Sequence, residues 1–154
     1  MSRGRRRQRG FTLLEILVAL LVLSIGLLGL AGLQTFSLRN NHSALLRSQA
    51  VVLAYDALDR LRSNRDQAML ASGSAYNTNY SQDAGSSSAT DCSSNCTSSA
   101  LATYDLAQWK GDVERLPAGQ AQISIDANNK ATVQVRWSDN RDGNVLTVAV
   151  ETLL

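Results

Sequence analysis

The sequence predicts an α+β protein, a long N-terminal helix packed on a small antiparallel β-sheet in the shape of a ladle. Residues 11 to about 65 contain no proline, are apolar all round in their first half and become one-sided in their second half. Towards the C-terminus, three short runs alternate apolar and polar residues between turn signals. A helix with one apolar stripe and a sheet with one apolar face must each be buried against another element, so they bury one another.

The chain begins with a basic segment, residues 1–10, that reads as a disposable leader. From Ile16 to Leu33 follow 18 residues without a formal charge. About 20 mostly apolar helical residues, rising 1.5 Å each, cross a hydrocarbon core of ~30 Å, so this stretch can span a bilayer. Glu15 stands at its edge, where an unpaired carboxylate is costly and marks a function. The nearest cations before it, Arg9 and its neighbours, belong to the leader. A cut between Gly10 and Phe11 would create an α-amino group four residues from Glu15. Opposite charges ~4 Å apart attract by roughly 4 kcal/mol at an effective dielectric near 20, before desolvation is subtracted. Within one subunit or between neighbours, such a pair neutralises the acid, and between neighbours it also sets the axial register of helices that would otherwise slide.

Beyond the anchor, Leu46, Ala50, Leu53, Ala57 and Leu61 recur at spacings of four and three, flanked by Ala54 and Leu58. This stripe faces a folded head, while Asp56 and Arg60 form an i,i+4 pair on the helix surface. Some 55 helical residues make a rod of ~80 Å, far more than one membrane thickness. Gly26, Gly29 and Gly32 lie in the anchor next to Ser24 and Ala31. They are read either as ordinary membrane-helix glycines or as a stretch that loosens when the subunit leaves the bilayer.

Ser72 to Ser99 is a low-complexity stretch of Ser, Asn, Thr, Gly and Asp with Tyr76 and Tyr80, and reads as a loop. Ala102, Leu106, Trp109, Val113 and Leu116 then define a short amphipathic helix capped by Ser98 or Ser99, stopped by Pro117 and turned at Gly119, with Trp109 in the core. The three strands carry Ala121, Ile123 and Ile125; Ala131, Val133, Val135 and Trp137; and Leu146, Val148 and Val150. Asn128-Asn129 and Asp142-Gly143 supply the turns.

Arg9-Gly10-Phe11-Thr12-Leu13-Leu14-Glu15, followed by the apolar run from Ile16 to Gln34, resembles the class III signal of type IV pilins and type II secretion pseudopilins. The resemblance implies that prepilin peptidase, a membrane enzyme, cuts after Gly10 and methylates the new amino terminus of Phe11. It further implies that Phe11 and Glu15 dock subunits together. Position 32, where many major pilins carry a helix-bending proline, is glycine here. The pattern Cys92…Cys96…Ala102-Thr103-Tyr104-Asp105-Leu106-Ala107-Gln108-Trp109…Leu116-Pro117-Ala118-Gly119 is similar to the PilV family of minor pilins. The domain organisation expected is a cleaved leader (1–10), a transmembrane and filament-core helix (11–33), a periplasmic half-helix (34–71) and a globular head (72–154). Co-assembly is implied with other minor pilins, the major pilin, a tip-adhesin protein and the inner-membrane assembly platform. The subunit is expected to be single-pass in the bacterial inner membrane with its head in the periplasm, and on the cell-surface pilus after assembly. There it would help to initiate or modify the pilus. The loop before the short helix is either a subunit-specific contact region or a plain solvated loop.

Charge and cysteine usage agree with export. The formal charge is +2, but Arg3, Arg5, Arg6, Arg7 and Arg9 all lie in the leader, leaving 10 basic and 13 acidic side chains, or 10 − 13 = −3. Those arginines hold the amino terminus in the cytoplasm. In an oxidising compartment Cys92 and Cys96 pair, whereas in a reducing one a C-x3-C pair points to metal or redox chemistry; two ligands, with His42 the only histidine, do not make a structural zinc site.

No catalytic constellation is expected. His42 has no acid partner at a suggestive spacing, and no Gly-x-Ser-x-Gly or phosphate-cradling loop is present. Asp139, Asn140 and Asp142 before Gly143 only faintly match a calcium loop, since Ser138 and Ala149 occupy ligand positions. No metal or cofactor is therefore expected. Three rival readings are a minor pseudopilin of type II secretion, a DNA-uptake pilin and a membrane-anchored enzyme. Nucleic-acid binding would need a basic head surface, and Arg136 and Arg141 are too few.

Overall fold

Continuous helical periodicity without proline yields one helix, α1, from Leu13 to Ser63 in the computed structural model, which describes residues 10–70, 73–80, 92, 95–139 and 144–154. The helix begins and ends two residues inside the expected span. The chain divides into two compact units, one ending at His42 and the other running from Ser43 to Leu154.

In the first unit every described residue is exposed, and the apolar run is long enough to cross a membrane by length and composition. Two of its hydroxyls turn inward on the helix itself. Ser24 donates to the Leu20 carbonyl at 2.7 Å and Thr35 to the Ala31 carbonyl at 3.0 Å, so neither hydroxyl seeks a partner in the surroundings. The helix continues unbroken through Gly26, Gly29 and Gly32, and a Cβ added at any of them would meet no other side chain.

The second unit holds the rest of α1, a short helix α2 (Arg65–Ala68), helix α3 (Ser98–Val113) and strands β1 (Gln120–Ile125), β2 (Lys130–Ser138) and β3 (Val145–Leu153). Of the expected stripe on α1, Leu46, Ala50, Ala54, Ala57, Leu58 and Leu61 are buried. Leu53 is half-buried, and its carbonyl accepts the indole N–H of Trp109 at 2.8 Å. Trp109 lies in the core as the sequence suggested.

Two details of α3 differ from the sequence reading. Its cap is Thr97 rather than Ser98 or Ser99: the Thr97 hydroxyl accepts from the Ala100 N–H at 3.2 Å. The helix also ends at Val113, ahead of Pro117, in a run of turns closed by the Gly119 N–H on the Leu116 carbonyl at 2.9 Å. Gly119 is required there, because a Cβ would sit 2.0 Å from the Val113 carbonyl oxygen.

The sheet is an antiparallel meander in the order β1-β2-β3. Strict alternation sends Ala121 and Ile123 of β1 and Ala131, Val133, Val135 and Trp137 of β2 into the core. Between them Asp126 organises the turn: its carboxylate accepts from the N–H groups of Asn128 and Lys130, both at 2.9 Å, while Asn129 adopts a left-handed φ of 59°. β3 is an edge strand, so Val148 and Val150 are only half-buried and Leu146 is exposed. The Asp142-Gly143 turn lies outside the described residues.

Candidate assembly surface

The sequence singled out the start of α1 for docking, and the structure adds a local role for its acid. Thr12 is the residue before the helix, and its hydroxyl accepts from the Glu15 N–H at 3.3 Å while its carbonyl accepts the same N–H at 3.1 Å. Thr12-Leu13-Leu14-Glu15 therefore has the sequence of a capping box, and one arm of that box is formed. Glu15 also sits in the first turn, where the helix dipole favours a negative charge. Among the described residues no ion pair reaches its carboxylate. Gly10 and Phe11 precede the helix, and Phe11 is 80% exposed. Arg9 and the other leader arginines lie outside the described residues.

In the second unit, the stretch read as a loop is partly built into the core. Tyr76 is buried, and its hydroxyl donates to Asp105 Oδ2 on α3 at 2.6 Å. Asn64 Nδ2 donates to the same phenol oxygen at 3.2 Å and to the Ser98 carbonyl at 2.7 Å. Arg60 on α1 reaches Asp105 Oδ1 at 3.4 Å and Asp56 at 2.9 Å. Burial, reinforced by the hydrogen bond to Asp105, raises the Tyr76 phenol well above its usual pKa. Two residues on, Thr78 bridges to Ile123 of β1 through N–H···O contacts of 2.9 and 3.3 Å. Cys92 and Cys96 are joined in a disulfide with a Cα separation of 5.5 Å. Residues 81–91, 93 and 94, which hold most of the serines, lie outside the described residues.

On β1 and β2 the face turned away from the core is polar. Arg136 lies 3.8 Å over the ring of Tyr80 and donates Nε to Gln120 at 2.8 Å, while Tyr80 donates to Gln134 at 2.7 Å. Arg136 is therefore engaged within the fold, and Arg141 is outside the described residues. Between α1 and the end of α3 runs an apolar groove of about 410 Å³ lined by Ser48, Gln49, Val52, Leu53, Asp112, Arg115 and Leu116.

His42 is exposed on α1. Asp139 accepts a hydrogen bond from Ser43 at 2.6 Å, and Asn140, Asp142 and Gly143 are outside the described residues. Among the described residues no three His, Cys, Asp or Glu side chains stand close enough to hold a metal ion. What the geometry offers is exposed apolar surface along the first half of α1.

Comparison with known proteins points the same way. The family model described as the prokaryotic N-terminal methylation motif matches residues 5–31, and the one described as type IV pilin Tt1218 matches residues 32–107. No curated protein and no solved structure matches the chain. The methylation motif, the exposed apolar helix that carries it and the α+β unit that follows fit membrane anchoring and a pilin role. With the motif and the pilin domain adjoining on one helix, the chain belongs to the type IV pilins.

Proposed function

We propose that this type IV pilin is a minor pilin of the PilV type that helps to initiate or modify pilus assembly. Membership of the family implies association with other pilins and with the pilus machinery. In this reading prepilin peptidase removes residues 1–10, Phe11 becomes the N-methylated amino terminus, and residues 11–33 anchor the subunit in the inner membrane with the head in the periplasm. Glu15 then pairs with the α-amino group of Phe11 as the subunit joins other minor pilins, the major pilin and a tip-adhesin protein on the inner-membrane assembly platform.

The observation that carries this reading is the match of the methylation motif across Gly10, Phe11 and Glu15, directly at the start of an exposed apolar helix. A fresh amine at Phe11 would lie beside the N-terminal turn of α1, within reach of a carboxylate that has no cation among the described residues. The C-terminal pattern from Cys92 to Gly119 supports the minor-pilin assignment by resemblance.

Mass spectrometry of membrane or pilus material tests the processing, with a chain beginning at N-methyl-Phe11 as the expected product. Glu15→Ala should leave membrane insertion intact and lower incorporation into pili. An intact leader in peptidase-competent cells, or full incorporation of Glu15→Ala, refutes the scheme. Recovery of the subunit with secretion rather than pilus components would assign it to the type II pseudopilins instead.

A further inference from the structure

In the second unit the outward side of α1 carries an apolar line. Leu45 is 53% exposed and Val52 66%, and at about 100° per residue their spacing of seven puts both on nearly one line along the helix. Val52 points about 160° away from Ala50 and Ala54, which are fully buried, so the line faces away from the core. Ser48 and Gln49, between the two, are uncharged. Apolar residues seven apart, with uncharged residues between, form the seam of two helices wound together. Tyr55, 54% exposed, stands about 60° to one side of Val52, and Leu53 about 100° to the other, where its carbonyl meets Trp109 of α3. On the Leu53 side opens the apolar groove of about 410 Å³ that reaches Asp112, Arg115 and Leu116. A ring on one flank and a groove on the other make this face complementary to itself.

We propose that two copies of this chain pair along this line as parallel α1 helices related by a two-fold axis, each placing Tyr55 in the groove of the other. The pairing rests on the anchoring proposed above: both copies enter one bilayer through the same continuous helix, so their α1 helices run in the same direction and in register. In register, Leu45 meets Leu45 and Val52 meets Val52, as the inward positions of a parallel pair do. A two-fold axis parallel to the helices sets the Tyr55 flank of one against the Leu53 flank of the other. Helical side chains lean back towards the N-terminus, which brings the Tyr55 ring down to the level of Val52 and the groove. There the ring covers Val52 and Leu116, and the Asp112–Arg115 pair at 3.2 Å on the lip offers its hydroxyl a hydrogen bond. The next position of the series is Asp59, where two carboxylates would face each other, and Arg62 at 3.1 Å offsets each, so the apolar seam ends at Tyr55.

The test uses the full chain in membranes, carrying Val52→Cys. With helix axes about 8–10 Å apart and Cα atoms about 2.3 Å from each axis, facing Cα atoms lie roughly 4–6 Å apart, within disulfide reach. Because Cys92 and Cys96 are bonded to each other, the introduced thiol reports without competition. Mild oxidation should give a covalent dimer about tenfold faster than with Arg47→Cys, which is exposed on the same helix but about 140° away from Val52, so that confinement to the bilayer alone would favour neither. Adding Tyr55→Ala, which empties the groove, should lower the yield roughly fivefold, and Tyr55→Phe should keep most of it. Sedimentation in detergent of the chain without introduced cysteine gives a second readout, a dimer that Val52→Glu dissociates; Val52 and Tyr55 are exposed, so neither change disturbs the head. Equal rates for the two thiols, insensitivity to Tyr55→Ala, a monomer in sedimentation, or crosslinking of Val52→Cys only to a different protein each overturn the proposal. Alkaline extraction of the same membranes reads the anchoring by itself: a chain released from the bilayer refutes the anchoring and the pairing with it, whereas a retained chain with equal rates refutes the pairing alone.

Discussion

Replacing Tyr76 by Phe tests how the segment after α2 is held in the fold. The substitution keeps the buried ring and removes only its hydroxyl, which donates to Asp105 Oδ2 at 2.6 Å and accepts from Asn64 at 3.2 Å. Asn64 keeps its bond to the Ser98 carbonyl, and Asp105 keeps Arg60 at 3.4 Å. The dominant loss is therefore one hydrogen bond to a buried carboxylate, worth about 1.5–3 kcal/mol. For a unit of this size each kcal/mol moves Tm by ~4 °C, so a drop of about 8 °C is expected at neutral pH.

A pH series separates this bond from a mere packing change. The folded phenol has a pKa raised above the unfolded value, so above about pH 10 the unfolded chain releases a proton that the folded chain retains. Stability assigned to Tyr76 is thus complete below pH ~10 and falls by up to ~1.4 kcal/mol per pH unit above it. Thermal melts of the full chain in detergent, followed by near-ultraviolet circular dichroism from pH 7 to 11, should show the wild-type advantage shrinking at the alkaline end. Parallel curves for wild type and Tyr76→Phe across the whole range, or a difference at pH 7 below ~0.5 kcal/mol, would refute the reasoning.

Two further substitutions test the surrounding architecture. Gly119→Ala forces a methyl group against the Val113 carbonyl at 2.0 Å, and should cost about 2–3 kcal/mol or shift the turn, read as a lower Tm and a changed tryptophan environment around Trp109. Cys92→Ser opens a short ring and should lower stability by about 2 kcal/mol while leaving processing at Gly10 unchanged, as measured by melts and by N-terminal mass spectrometry.

Periodicity made most of the fold legible in advance. Leu46, Ala50, Ala57 and Leu61 on α1, Trp109 and Val113 on α3, and the alternating residues of β1 and β2 all face the core, because burial repeats every 3.6 residues on a helix and every two on a strand. Asp105, Asn64 and Tyr76 carried no such signal. Polar residues on an apolar face read as exceptions, and their mutual bonds span 12 and 29 residues of sequence, so only the tertiary arrangement joins them. The cap of α3 was ambiguous for a different reason, since Thr97, Ser98 and Ser99 are three successive hydroxyl residues and backbone geometry chose the first. At Glu15 the pattern held two messages, a helix-start signal with Thr12 and an acid at the edge of an apolar run. The capping contact is visible in the fold of a single chain, whereas an intermolecular charge pair would need a neighbour.

The inward-turned hydroxyls of Ser24 and Thr35 have a consequence for how subunits can be arranged. With its polar atoms occupied on its own backbone, the apolar stretch presents a nearly featureless cylinder, on which dispersion forces grip but do not aim. Such a cylinder can be turned about its axis at little cost. The angle at which one molecule faces the next is then a decision made elsewhere along the chain, wherever directional chemistry remains available.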